Sequence, residues 1–201
     1  RVKNIMATMV GLLNLQAASV TDTSARAALE DSANRFRSMS HLYDRLYRSQ
    51  EPGEHDLGEF LKPLVEEIVA AFPEGDRVST SVEADRITMS TEALSNVGIL
   101  VTEIVTNSMK AAFPEGRVGT IELSIRYVDG RVRLLLADDG VGLPPEARRK
   151  GAGGFGMELI GELTEQLDGE LGVDSTQGTR YTITIPRGVG TPERAEAATR
   201  E

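Results

Sequence analysis

The apolar spacing of this chain changes character once, at the polar break Gln50-Glu51-Pro52-Gly53-Glu54-His55, and that change separates two kinds of folding unit. Before the break, Ile5, Met9, Leu12, Leu13 and Gln16 recur at helical spacing, with Met6, Val10 and Leu15 widening the stripe. Thr21-Asp22-Thr23-Ser24 supplies caps for a second helix. Through it Ala25, Ala28, Leu29, Phe36, Met39, Leu42, Tyr43 and Leu46 continue at mostly three- and four-residue steps. Two helices joined by a short turn form an antiparallel hairpin. A lone hairpin with two apolar faces is under-packed, so pairing with a second copy into a four-helix bundle is the expected remedy.

After the break the pattern alternates. Leu57 to Phe72 reads as a helix, Arg77 to Val82 and Ile87 to Met89 as short strands, and Thr91 to Phe113 as a long amphipathic helix. Gly119 to Val128 and Val132 to Ala137 read as strands linked by Asp129-Gly130, a strong hairpin signal. A Gly/Pro/Arg-rich stretch from Leu143 to Gly153 precedes a helix from Phe155 to Leu167, and Gly169 to Val173 and Arg180 to Ile185 form the last strand pair. The expected fold class is α+β: the helical hairpin at 1–50, then a mixed sheet with helices on one face, an α/β sandwich, at 56–187. The tail 188–201 is charged and alanine-rich, and is expected to be disordered.

Composition removes several function classes. With no cysteine, disulfides and thiolate chemistry are excluded. A formal charge of −9 disfavours nonspecific nucleic-acid binding, so any phosphate ligand must be held locally. His41 and His55 are the only histidines, which leaves oxygen ligands for any divalent cation. No run of roughly eighteen apolar residues and no charged-then-apolar leader is present, so neither a membrane span nor a signal peptide is expected. The chain opens on Arg1-Val2-Lys3-Asn4, without an initiator Met and already in helical pattern, as a fragment of a longer protein would.

Three clusters carry the chemistry. In the long helix Glu103 and Asn107 are four residues apart and Lys110 three further on, so all project from one face. A carboxamide oxygen suits Mg²⁺ and an ammonium suits phosphate oxygens. Asp138-Asp139-Gly140-Val141-Gly142 follows an apolar strand, which puts the first carboxylate where sheet meets loop. There it can accept from an exocyclic amine while the glycines let backbone approach a ring. Gly151-Ala152-Gly153-Gly154-Phe155-Gly156 opens a helix whose N-terminal amides form an anion site, with Arg148-Arg149-Lys150 adding cationic density before it. Gly178-Thr179 enters the last strand, where a hydroxyl can reach a base or an ordered water. Taken singly, these also read as a solvated stripe, an Asp-Gly turn, a flexible loop and a turn. Their joint occurrence in this order reads as an ATP site.

From Leu57 to Pro186 these features resemble the ATP-binding domain of sensor histidine kinases, of the superfamily shared with gyrase and MutL. Glu103 to Lys110 is similar to its N box, and Asp138 to Gly142, Gly154 to Gly156 and Gly178-Thr179 to its glycine-containing boxes. Arg1-Val2-Lys3-Asn4 resembles the segment after the phospho-accepting histidine in kinases with an His-Arg-Val-Lys-Asn motif, and His41 to Arg48 resembles that subfamily's second helix.

The resemblance implies ATP and Mg²⁺ as cofactors, with Asn107 on the metal, Lys110 on phosphate and Asp138 on the adenine amine. Gly140, Gly142, Gly154 and Gly156 would permit lid closure, and Thr179 would complete the nucleotide-binding set. Glu103, with Lys110, would be catalytic. At its position the superfamily's ATPases use a carboxylate to activate water, and here it would polarise the accepting imidazole or help position the metal. The acceptor histidine is expected immediately before Arg1, and Arg1 stands where many relatives carry an acidic residue. His41 is expected to pack between helices and His55 to lie exposed in the linker. Asn4, one turn below the acceptor, is a candidate for orienting a water that dephosphorylates a partner aspartate, or a helix-surface residue.

The implied function is an ATP-dependent protein-histidine kinase of a bacterial, cytoplasmic two-component system, passing phosphate to a response-regulator receiver aspartate, with no nucleic-acid or direct membrane contact in this segment. A homodimer is expected, a monomer whose hairpin packs on its own ATP domain is the alternative, and the full-length protein is either soluble or membrane-tethered. A non-catalytic adaptor or phosphotransfer protein of the same fold that docks regulators is the alternative. A serine kinase of anti-sigma type shares the boxes but leaves Arg1 to Arg48 without a role.

Overall fold

The computed structural model describes residues 2–48, 55–143 and 154–186. The expectations for the Arg148-Arg149-Lys150 stretch and for the tail 188–201 lie outside these residues, as does the side chain of His41. The chain divides into two compact units, Arg1–Pro52 and Gly53–Glu201.

The first unit is a helical hairpin of α1 (Val2–Ser19) packed on α2 (Thr23–Arg48). Of the offered capping residues, Asp22 does the work: its Oδ1 accepts from the Ala25 amide at 2.8 Å, satisfying one of the helix's orphan donors. Arg26 reaches back to the Val20 carbonyl at 2.8 Å and ties off the end of α1. Small residues meet where the helices approach, with Ala17 and Ala33 buried. The broad apolar surface of α1 divides into two stripes. Met6, Val10 and Leu13 are half-buried, whereas Ile5, Met9, Leu12 and Leu15 are 44–72% exposed.

The second unit is built on a five-stranded sheet in the order β2-β4-β5-β7-β6. Its strands are β2 (Val78–Ala84), β4 (Gly119–Val128), β5 (Arg131–Asp138), β6 (Glu170–Asp174) and β7 (Thr179–Pro186). β2 pairs parallel to β4, and the other pairs are antiparallel. A parallel pair needs a crossover, and α4 (Thr91–Ala111) supplies it. One sheet face is sealed by Ile121, Leu123, Ile125, Val132, Leu134, Leu136, Tyr181, Ile183 and Ile185. Against it lie α3 (Leu57–Ala70), α4 and α5 (Gly154–Gln166), with α4 between the other two. Each fully buried aliphatic side chain is worth about 1.5–3 kcal/mol of transfer free energy, so this layer supplies most of the cohesion. The alternate residues, such as Glu122, Arg133 and Arg180, are exposed, as the strand period of two requires.

The Asp129-Gly130 signal reads out directly. Both residues have positive φ, 53° and 77°, and Val128 faces Arg131 across a two-residue loop, the geometry that suits strand twist. His55 departs from the expected exposed linker. With Asp56 it forms β1 (His55–Asp56), which pairs with β3 (Thr88–Met89), and it is half-buried. Asp56 then caps α3 by accepting from the Glu59 amide at 2.9 Å.

Candidate nucleotide site

The end of β5, the C-terminal half of α4 and the start of β7 converge on one carboxylate. Asp138 is 5% exposed. Its Oδ1 accepts from the amides of Gly140 and Thr179, each at 3.1 Å, and its Oδ2 accepts from the Ser108 hydroxyl at 2.8 Å. An ionised carboxylate is an acceptor only, with roughly four lone-pair positions, and three of them are filled here. Burial is tolerable because each oxygen is hydrogen-bonded.

The glycines around it are sterically required. A Cβ at Gly140 would lie 2.4 Å from the carbonyl oxygen of Ala112, the residue after α4. Gly142 has φ +77°, and just past it the Leu143 amide donates to Ser175 Oγ at 2.6 Å, tethering the loop to the β6–β7 turn. The Val141 amide donates to the Ala112 carbonyl at 3.0 Å. Asp139 faces outward and fixes the loop's first turn: its Oδ1 accepts from the Thr120 amide at 2.8 Å and its carbonyl from Arg117 at 2.8 Å.

The expected residues of the long helix all lie on α4 at the anticipated spacing, but their exposure is graded. Glu103 is 3% exposed, Asn107 half-buried and Lys110 exposed. Thr179, buried, pairs with Asp138 in the β5–β7 register. Gly154 is the first residue of α5, and Gly156 is buried in its first turn. Asn4 belongs to the other unit and is exposed on α1. Among the described residues no group of three acidic or histidine side chains forms a metal cage.

Three contributors are not among the candidate residues of the clusters. Ser108 continues the buried stripe Val101, Ile104 and Val105 of α4. A hydroxyl at a core position is the signal that points to a buried partner. Ser175 and Tyr181 leave no such mark. Tyr181 is 2% exposed and lies on the covered sheet face with Asp138, its hydroxyl donating to the Met157 sulfur at 3.6 Å. Burial, with the Asp138 carboxylate nearby, pushes its phenol up to about 12.

Residues 1–72 match a family described as histidine kinase, and residues 92–189 one described as histidine kinase-, DNA gyrase B-, and HSP90-like ATPase. The chain is 26% identical over 192 residues to blue-light-activated histidine kinase 2 of Erythrobacter litoralis, covering 92% of this chain and 55% of that protein. It is 26% identical over 200 residues to the sensor histidine kinase PdtaS of Mycobacterium tuberculosis, covering 94% of this chain and 38% of the relative. The chain therefore spans roughly half or less of these relatives' length. In structure it is similar to the histidine kinase domain of the Erythrobacter litoralis EL346 blue-light-activated kinase, with TM-score 0.69 and 21% identity, covering 91% of this chain and 94% of that one. No helix among the described residues is long and apolar enough to cross a membrane. The helical hairpin, the mixed sheet and these matches together place the chain in the sensor histidine kinase family, as a catalytic core.

Proposed function

We propose that this chain is the kinase core of a two-component system, binding ATP in its second unit and phosphorylating a histidine that stands immediately before Arg1. The group then passes to an aspartate on a response-regulator receiver domain. The observation that carries this reading is the buried Asp138 carboxylate, fixed by three donors from three different segments, with one acceptor position left on Oδ2 among the described residues. That is the chemistry for holding an exocyclic amine such as adenine's. An adaptor that only docked regulators would have no use for it.

On this reading Asn107 offers its carboxamide oxygen to Mg²⁺ and Lys110 its ammonium to the phosphates, and the metal, when bound, neutralises charge spread over the transferring group. The first amides of α5, at Gly154 to Gly156, add an anion site. Glu103, buried on α4, would polarise the accepting imidazole or help position the metal. Gly140 and Gly142 allow the loop to close over the base. The hairpin is the dimerisation and phosphotransfer module: the stripe Ile5, Met9, Leu12 and Leu15 is what a second copy covers in a four-helix bundle. Asn4, exposed on α1, would orient water for dephosphorylation of the partner aspartate.

The test is an N-terminally extended protein incubated with labelled ATP and Mg²⁺. The kinase reading expects phosphate that is acid-labile and base-stable. A folded, ATP-binding protein that acquires no such label is an adaptor.

A further inference from the structure

We infer that Ser108 is a positioning residue that orients the Asp138 carboxylate toward the purine amine, and so determines how strongly that amine contributes to nucleotide affinity. The inference rests on the ATP reading above and adds a residue to it.

The argument is geometric. Two backbone amides, from Gly140 and Thr179, both converge on Oδ1. Two donors on one oxygen fix the position of that oxygen. They do not fix the plane of the carboxylate, because rotation about the last side-chain torsion is soft for Asp. The plane is set only when the second oxygen is held, and Ser108 Oγ holds Oδ2 at 2.8 Å. Ser108 reaches it from α4, whereas both amides come from loops and strands at the sheet end. Ser108 is 5% exposed and its bond to Asp138 is buried, so water has little access to substitute for it.

The same bond sets polarity. A hydroxyl carries one proton, and here that proton is donated to Oδ2. With the two amides also committed, what Ser108 and Asp138 have left to offer is lone pairs. An incoming group with N–H donors is matched, and one presenting a carbonyl oxygen meets only acceptors. Ser108 is also adjacent to Asn107, so one turn of α4 holds a group assigned to the metal and a group that aims the base contact.

The test uses the whole chain and two probe nucleotides, ATP and purine riboside triphosphate, which lacks the amine at the purine 6 position. Binding is measured by calorimetry for the wild type, Ser108→Ala and Ser108→Cys. Cysteine has nearly the shape of serine and is a weak donor, so it keeps the fold if the alanine variant does not. A hydrogen bond to a charged group is worth about 1.5–3 kcal/mol, so ATP affinity is expected to fall about tenfold or more in both variants. The affinity for purine riboside triphosphate stays within about twofold, so the wild-type preference for ATP over the analogue collapses. Equal losses for both nucleotides would make Ser108 a structural residue only, and no loss for either would remove it from the site. Both results overturn the inference while leaving the ATP reading intact. A wild-type chain that binds ATP no better than the analogue overturns the amine contact itself, and the inference with it.

Discussion

Gly178 stands against the backbone of Asp138 so closely that a Cβ at residue 178 would fall 1.9 Å from the Asp138 carbonyl oxygen. The strand that carries the carboxylate and the turn that leads to Thr179 are thereby in backbone contact. Gly178 also has φ +69°, in the left-handed region. Gly130 has nearly the same φ, +77°, but a Cβ there meets nothing within 4 Å. The pair separates conformational strain from collision. Gly130→Ala is expected to cost about 1–2 kcal/mol, the left-handed penalty alone. Gly178→Ala adds an overpacking cost and totals about 2–5 kcal/mol, and it also weakens ATP binding because it displaces Asp138 or Thr179. Denaturant melts and ATP titrations of the two variants check this, and equal costs would contradict it.

Tyr181 predicts a specific alkaline response. Its folded-state phenol is raised from 10.0 to about 12, so between those values the folded protein holds a proton that the unfolded chain has released. Its contribution is fully present below pH 10 and is lost as pH rises through about 12, amounting to up to about 3 kcal/mol. Tyr181→Phe should flatten the fall in stability over that window, while the small loss from its weak bond to Met157 is independent of pH. Urea melts of both proteins at several alkaline pH values measure the difference, and parallel curves would refute the assignment.

The α1 stripe predicts the oligomer. Leu12 is 57% exposed and Ile5 59%, so replacing either with Asp loses little packing within one hairpin. If a second copy covers this stripe, Leu12→Asp buries an unpaired charge in the interface and shifts the chain to monomer at micromolar concentration, with the isolated second unit unaffected. Sedimentation velocity distinguishes the species. A variant that remains dimeric would move the interface elsewhere.

Much of this architecture was legible because local chemistry and global fold agree. Asp129-Gly130 demands a two-residue hairpin whatever surrounds it, and the Thr91 to Ala111 helix carries its own apolar stripe and a serine cap at Ser90. Asp138 was placed at the strand end because apolar residues lead directly into it. What stayed hidden depends on pairing across the chain. β1 and β3 are two residues each, too short for any period to show, and so nothing local marks His55 as strand. Ser108 acts on a residue 30 positions away, and its local surroundings mark it only as a polar interruption of a helix stripe. Pro63 sits inside α3 without ending it, because tertiary burial of Leu61, Leu64 and Val65 outweighs one missing hydrogen bond.

The account turns on Asp138 as the base contact. The most direct measurement is calorimetric titration of ATP with Mg²⁺ into the wild-type chain and into Asp138→Asn, with circular dichroism confirming that both are folded. Asn keeps the size but replaces one acceptor oxygen with an NH₂ donor among three donors, so affinity is expected to fall at least about tenfold. Equal affinity in the two proteins would contradict the assignment of the nucleotide site.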